Sequence, residues 1–282
     1  MQLKLLSVVL STLFFATSSF GQHLVVGSYN IRYDNRRDSG NLWEQRAPYV
    51  AALIRFHDFD VLGTQEGMKH QLDQLSDSLP DYAWYGKGRD DGKEKGEFSA
   101  IFYKKHKFRV LKSGDFWLSP TPEKPGPGWD AHLNRICSWV QLEDKATKKK
   151  FFVFNVHYDH EGVKAREESS KLILEKIRSI AGNSPVVLTG DFNGDHKTSW
   201  YQALANSEVL KDSYTLVKDP YANNNSFNGW NPRPDMNKKQ SFIDHVFISK
   251  SFEPVKWGLL TDTYYGRYPS DHFPVYVKLK WK

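Results

Sequence analysis

Three late blocks of the chain each set an acid, amide or imidazole at the edge of an apolar run. Pro185-Val-Val-Leu-Thr-Gly-Asp191-Phe-Asn193 ends with a carboxylate and an amide two residues apart. Ile243-Asp244-His245-Val-Phe and Ser270-Asp271-His272-Phe-Pro follow the same design. Four earlier runs share it: Ser28-Tyr-Asn30-Ile-Arg32, Val61-Leu-Gly-Thr-Gln65-Glu66, Glu97-Phe-Ser-Ala-Ile-Phe-Tyr103 and Phe151-Phe-Val-Phe-Asn155-Val-His157-Tyr-Asp159-His160. The resulting inventory is Asn30, Glu66, His157, Asp191, Asn193, Asp244, Asp271 and His272. Oxygen donors dominate it and suit a hard cation such as Mg²⁺, Mn²⁺ or Ca²⁺. Zinc fits poorly, because the chain has one cysteine and no His-x-x-x-His pair. A cation on a non-bridging oxygen, with His or Asp taking a proton from water, is equipment for phosphoester hydrolysis.

Rigid strands must carry these side chains while loops open a cleft above them. Strand-like runs fall at 24–31, 60–65, 82–87, 98–103, 136–142, 151–157, 186–190, 242–248 and 273–279. Helical spacing of apolar residues covers 43–54 and 166–180, with a shorter candidate at 200–204. Segments 119–128 and 223–237 read as loops, and Lys148-Lys149-Lys150 as a solvated hairpin turn. Many consecutive strands lack a helix between them. That favours mainly antiparallel and mixed sheets with helices outside, over a purely parallel doubly wound fold. His57, His70, His106 and His132 read as ordinary histidines. His160 and His245 stay open, since neighbours on a strand face opposite ways.

Composition narrows the class. At 282 residues, with 39% hydrophobic and 15% aromatic content, the chain can bury a large core. The net charge of +6 mildly favours acidic or phosphorylated partners. Cys137, the single cysteine, excludes an intramolecular disulfide framework, and its apolar neighbours place it in a buried strand. Residues 1–21 have the charge order, apolar core and small-residue end of a secretory signal peptide. The expected product is an exported protein, periplasmic or extracellular, with residues 22–282 as a single domain. No other apolar run approaches the roughly 20 residues of a membrane helix. Stable membrane insertion is not expected.

Taken in order, these blocks resemble the endonuclease/exonuclease/phosphatase superfamily with its DNase I-like fold, over nearly the whole of 22–282. The resemblance implies a four-layered α/β sandwich, two mainly antiparallel or mixed sheets flanked by helices. It also implies a metal-dependent phosphodiesterase or phosphatase using Mg²⁺ or Mn²⁺. Asn30, Glu66 and Asp271 would hold the metal. Asp191 would activate or position water, Asn193 would orient the phosphate, and His157 would donate to a non-bridging oxygen. Asp244 would orient His272, with the base shared among His272, Asp244 and Asp191. The third block with Arg166, together with Arg135 and Phe227-Asn228-Gly229-Trp230, resembles a secreted bacterial branch. Arg135 and Arg166 are candidate phosphate clamps, and Asn228 and Trp230 candidate substrate contacts. Arg32 departs from the abasic endonucleases, which carry an acid two residues after the first Asn. A monomer acting on a nucleic acid or nucleotide phosphodiester is the favoured reading. A lipid-headgroup or sugar-phosphate esterase is the alternative, and a non-catalytic binding protein or a carboxylate-pair glycosidase are readings of other classes.

Overall fold

The computed structural model describes residues 23–221, 224–231 and 241–282. The expected signal peptide, 1–21, lies outside the described residues, as does part of the expected loop 223–237. Twelve strands are described: β1 (His23–Asn30), β2 (Val61–Gly67), β3 (Tyr82–Tyr85), β4 (Phe98–Lys104), β5 (Phe108–Trp117), β6 (Ile136–Asp144), β7 (Lys150–His157), β8 (Val186–Asp191), β9 (Lys211–Asp212), β10 (Asp244–Ile248), β11 (Phe252–Leu259) and β12 (Val275–Trp281). The helices are α1 (Trp43–Phe56), α2 (Lys69–Ser78), α3 (Val163–Ala181) and α4 (Ser199–Ala205). No helix among the described residues is long and apolar enough to cross a membrane.

The strands form two six-stranded sheets, ordered β11-β12-β1-β2-β4-β3 and β5-β6-β7-β8-β10-β9. They stack face to face on Val26, Val61, Val153, Val187, Val246 and Val277, all fully buried. Outside the first sheet, α1 and α2 lay Val50, Ile54, Leu72 and Leu75 on Tyr29, Leu62 and Phe102. Outside the second, Ile173, Ile177 and Leu204 of α3 and α4 cover Phe152, Phe154 and Leu188. The molecule is an α/β/β/α sandwich. Because both faces of each central strand are buried, those strands read as continuous apolar runs.

Each sheet contains one parallel pair at its centre, β1 with β2 and β7 with β8. Asn30, Glu66, His157 and Asp191 stand at or beside the carboxyl ends of those four strands. The antiparallel partner β10 brings Asp244 opposite Asp191. A polar hub ties the sheets together beneath them. Asn155 Nδ2 donates to the carbonyls of Thr64 (2.8 Å) and Ala100 (2.9 Å), while its Oδ1 accepts from Gln65 Nε2 (2.7 Å) and Thr189 Oγ1 (2.9 Å). Gly63 is required there, since a Cβ at that position would overlap both Thr189 and Asn155.

Candidate active site

Local backbone geometry aims each side chain. Glu66 lies at φ 64° where the pairing of β2 with β4 shifts register between Thr64 and Gly67. A bulge of this kind re-aims a side chain off the strand, and Glu66 turns into the cleft, where the Tyr33 amide donates to its Oε2 at 3.2 Å. Asn193 sits at φ 46°; its amide N–H donates to Asp191 Oδ1 (3.0 Å) and its Nδ2 to the Tyr158 carbonyl (3.0 Å). Asp271 and His272 precede β12 and are stitched on both sides. Ser270 Oγ donates to the Asn30 carbonyl at 2.7 Å, and the amides of Asn228 and Gly229 donate to the Asp271 carbonyl at 2.8 and 3.1 Å.

At the centre, Asn30 Nδ2 donates to Glu66 Oε1 (2.9 Å) and Asp191 Oδ2 (3.0 Å), and lies 3.4 Å from His272 Nε2. Asp191 Oδ2 is 3.6 Å from His157 Nε2 and 3.7 Å from His272 Nε2, so this carboxylate lies between two imidazoles. His272 Nδ1 meets Asp244 Oδ2 at 2.8 Å, and Asp244 is fully buried. Burial alone would lower the His272 pKa, but the carboxylates of Asp244 and Asp191 raise it to about 10. His272 is therefore an imidazolium at neutral pH. His157 is the reverse: burial, reinforced by Arg135 and Arg89, holds it well below the usual histidine value and neutral. Burial and the nearby Asp244 charge lift Asp191 to about 7. Burial lifts Asp271 to about 6, with Glu66 adding to it and His272 opposing. Asp191 and Asp271 are thus crowded at the expense of their ionised forms.

These groups floor a cavity of about 600 Å³, walled by Arg32, Tyr33, Asp38, Leu133, Phe227 and Trp230. The structure brings Glu66, His157, Asp191, Asn193, Asp271 and His272 to this cavity, with Asn30 and Asp244 packed directly behind. Arg135 reaches it too; its Nη2 lies 3.1 Å from His160 Nδ1, its Nε donates to Asp159 (3.3 Å), and its buried Nη1 has no partner among the described residues. Trp230 forms part of the wall, with the Arg46 guanidinium 5.5 Å from its ring. Two candidates do not line the cavity. Arg166 lies over the Trp200 ring at 4.4 Å and donates to the Asp159 carbonyl at 2.9 Å, because the first turn of α3 faces α4. Asn228 turns back to the Ser270 carbonyl (3.1 Å) and shapes the loop. Sequence reasoning did not single out Glu97 or Phe227. Glu97 makes a two-pronged pair with Arg89 (2.6 and 2.8 Å) and lies 3.8 Å from His157, and burial pushes it up to about 7. Phe227 is half exposed, with its ring 5.0 Å from that of His272. Glu97 stood at a strand start, where an acid carries no periodic signal.

The open histidines also separate. His160 faces the cavity, whereas His245 points to the opposite side of β10, between Asp212 (3.0 Å) and the Gly194 carbonyl (3.0 Å). Among the described residues, two groups gather ligand atoms closely enough for a metal: Asp191, Asp244 and His272, and His196, Asp212 and His245. In both, a histidine ring already meets a carboxylate at hydrogen-bond distance. The oxygen donors expected to suit a hard cation are Glu66 and Asp271, which line the cavity, and Asn30, which lies behind them against Glu66. In the arrangement found, the Asn30 amide nitrogen faces Glu66 while its Oδ1 accepts from the Arg32 N–H at 3.0 Å, so presenting that oxygen to a cation would require the side chain to shift and give up or share that bond.

The Endonuclease/Exonuclease/phosphatase family model matches residues 27–272, and the chain belongs to that family. It is accordingly a hydrolase of phosphoester bonds, of a family dependent on divalent metals. Among solved structures, a mannosyl-6-phosphatase of Bacteroides thetaiotaomicron is 48% identical with a TM-score of 0.88, covering 92% of this chain and 100% of that one. An endonuclease/exonuclease/phosphatase family protein from the same organism is 47% identical with a TM-score of 0.89, covering 93% of this chain and 98% of that one. An uncharacterized protein of Acanthamoeba polyphaga mimivirus is 28% identical, covering 83% of this chain and 91% of its own length.

Proposed function

We propose that this protein is an exported, divalent-metal-dependent phosphatase that removes a phosphate monoester from a sugar. The observation that carries this reading is the size and lining of the site. The reactive groups floor a cavity of about 600 Å³, a size that suits one small phosphorylated molecule. Carboxylates, the Asn193 amide and the rings of Tyr33, Phe227 and Trp230 line it, the mixture that hydroxyl groups and an apolar sugar face require. The mannosyl-6-phosphatase similarity supports the same choice. The sugar-phosphate alternative therefore moves ahead of the nucleic acid reading.

Asn30, Glu66 and Asp271 would hold Mg²⁺ or Mn²⁺. Bound there, the ion would neutralise a non-bridging phosphate oxygen. Asp191 is the proton acceptor, since its Oδ2 faces the cavity between two imidazoles and holds its proton up to about pH 7. His272, kept cationic by Asp244, donates to a phosphoryl oxygen and meets charge that grows in the transition state. Neutral His157 donates from the opposite side, and Asn193 positions the phosphate. Arg135, which lines the cavity, adds a fixed positive charge beside the same anion.

The test is hydrolysis of mannose 6-phosphate, p-nitrophenyl phosphate, bis-p-nitrophenyl phosphate and an oligonucleotide by residues 22–282, with Mg²⁺, Mn²⁺ or EDTA. Metal-dependent release of phosphate from the two monoesters is expected. Cleavage confined to the diester or the oligonucleotide would overturn the reading. Export is tested separately, by fractionating cells that express the full chain and sequencing the N-terminus of the product.

A further inference from the structure

Among the described residues, Arg32 is the one arginine or lysine lining the cavity that this mechanism leaves unused. Its backbone is held in the left-handed region at φ 56°, with its N–H on Asn30 Oδ1 at 3.0 Å. Its carbonyl accepts from the fully buried Arg46 (2.6 Å) and from Gln71 (3.0 Å). The side chain is equally fixed. Nε and Nη2 fork onto Asp38 at 2.8 and 3.1 Å, and the guanidinium lies 4.6 Å from the Tyr33 ring. From that anchor Nη1 stands 3.8 Å from Glu66 Oε2, and Nε 3.7 Å from Asp271 Oδ2. Among the described residues Nη1 has no hydrogen-bond partner.

The geometry points to Arg32 as a built-in second cation of the site, which selects phosphate monoesters over diesters. The inference rests on the phosphatase reading and deepens it. Asp38, which is not among the candidate metal ligands, holds the guanidinium in place, so metal binding need not displace it. A fixed charge beside Glu66 and Asp271 does two things at once. It adds a hydrogen-bonding cation for the oxygens of a terminal phosphate, which near neutrality carries close to two charges against one for a diester. It also repels a divalent ion held by the same two carboxylates. Where an acid stands in the abasic endonucleases, this chain has reversed the local charge.

Those two effects have opposite signs, and that makes the test sharp. Metal-stripped wild type and Arg32→Ala are titrated calorimetrically with Mn²⁺, then with inorganic phosphate in the presence of saturating Mn²⁺. The ratio of kcat/KM for p-nitrophenyl phosphate over bis-p-nitrophenyl phosphate is measured alongside. In Arg32→Ala, Mn²⁺ should bind several-fold more tightly, while phosphate binding and the monoester ratio each fall by about tenfold, the scale of one charged hydrogen bond. Arg32→Lys, which keeps the charge but loses the fork onto Asp38, should lie between the two. Merely structural damage would weaken both ligands together. A folded variant with unchanged Mn²⁺ affinity and an unchanged ratio overturns the inference. Arg32→Gln, close in size and neutral, serves the same comparison if the alanine variant does not fold. If the wild type hydrolyses no monoester, the phosphatase reading has failed, and the Mn²⁺ titration alone then decides the role of Arg32.

Discussion

Asp244 has no solvent contact, and its Oδ1 has no partner among the described residues. Its charge is balanced through one contact, the 2.8 Å bond to His272. Truncating His272 to alanine would strand a buried carboxylate, so any loss of activity would mix with a loss of stability. The informative change is His272→Asn, whose amide can still donate to Asp244. It should fold, with an unchanged circular dichroism spectrum, and lose at least about a hundredfold in kcat, the scale of one acid–base or donor group. A variant within tenfold of wild type would remove His272 from the mechanism. The pH profile gives a second check. A proton acceptor must be ionised to act, so kcat/KM rises with pH as Asp191 loses its proton, at or below about 7 because a bound cation favours the ionised form. It falls again as His272 deprotonates towards 10. The residue types were legible in sequence because polar groups at the ends of apolar runs stand out singly. Their facing was not: Asn228 lies between the cavity residues Phe227 and Gly229 in sequence, yet it and Arg166 spend their side chains on the Ser270 and Asp159 carbonyls.

At the level of elements, the two parallel pairs hold the site, and the Asn155 hub locks them together. Replacing Asn155 with alanine would leave the carbonyls of Thr64 and Ala100, and the donors of Gln65 and Thr189, short of a buried partner. The Ala100 carbonyl, Gln65 Nε2 and Thr189 Oγ1 keep second partners in Thr64 Oγ1, Ser28 Oγ and the Phe154 carbonyl, so with an unsatisfied buried group costing about 1–3 kcal/mol the loss should be about 2–3 kcal/mol in urea unfolding. A change below about 1 kcal/mol would show that water or repacking replaces the hub. Central strands such as β7 and β8 were visible as unbroken apolar runs, because helices and the facing sheet cover both their sides. The strands that escaped notice, β5, β9 and β11, all lie at sheet edges. There β5 exposes Arg109 and Lys112, and β11 carries Pro254 beside a register shift, so neither shows clean alternation. The helix α2 was missed for a related reason: in ten residues only Leu72 and Leu75 are buried apolar groups, too few to establish a period.

Over the whole molecule, the site is assembled from two halves that only the stacking of the sheets brings together. Asn30 and Glu66 come from the first sheet and Asp271 from the loop entering its β12; His157, Asp191 and Asp244 come from the second. Without a cation, Glu97, Asp191 and Asp271 are pushed up to about 7, 7 and 6, because burial and neighbouring carboxylates disfavour their charge. For acids raised in this way, the folded chain retains protons that the unfolded chain has already released near pH 4. Their stability contribution is therefore full below about pH 4 and is lost as pH rises through 6 to 7. Neutral His157, with its pKa lowered, runs the other way and offsets part of this. A divalent ion removes the repulsion and competes with those protons. Stabilisation by saturating Mn²⁺, read as the shift in Tm against an EDTA-treated sample, should consequently be small at pH 5 and grow to pH 8. On the proposed reading phosphate would touch groups of both halves, so phosphate with Mn²⁺ should raise Tm by more than the sum of the two separate shifts. An Mn²⁺ shift independent of pH would mean that the ion binds away from these carboxylates, and simple additivity that phosphate does not bridge the sheets.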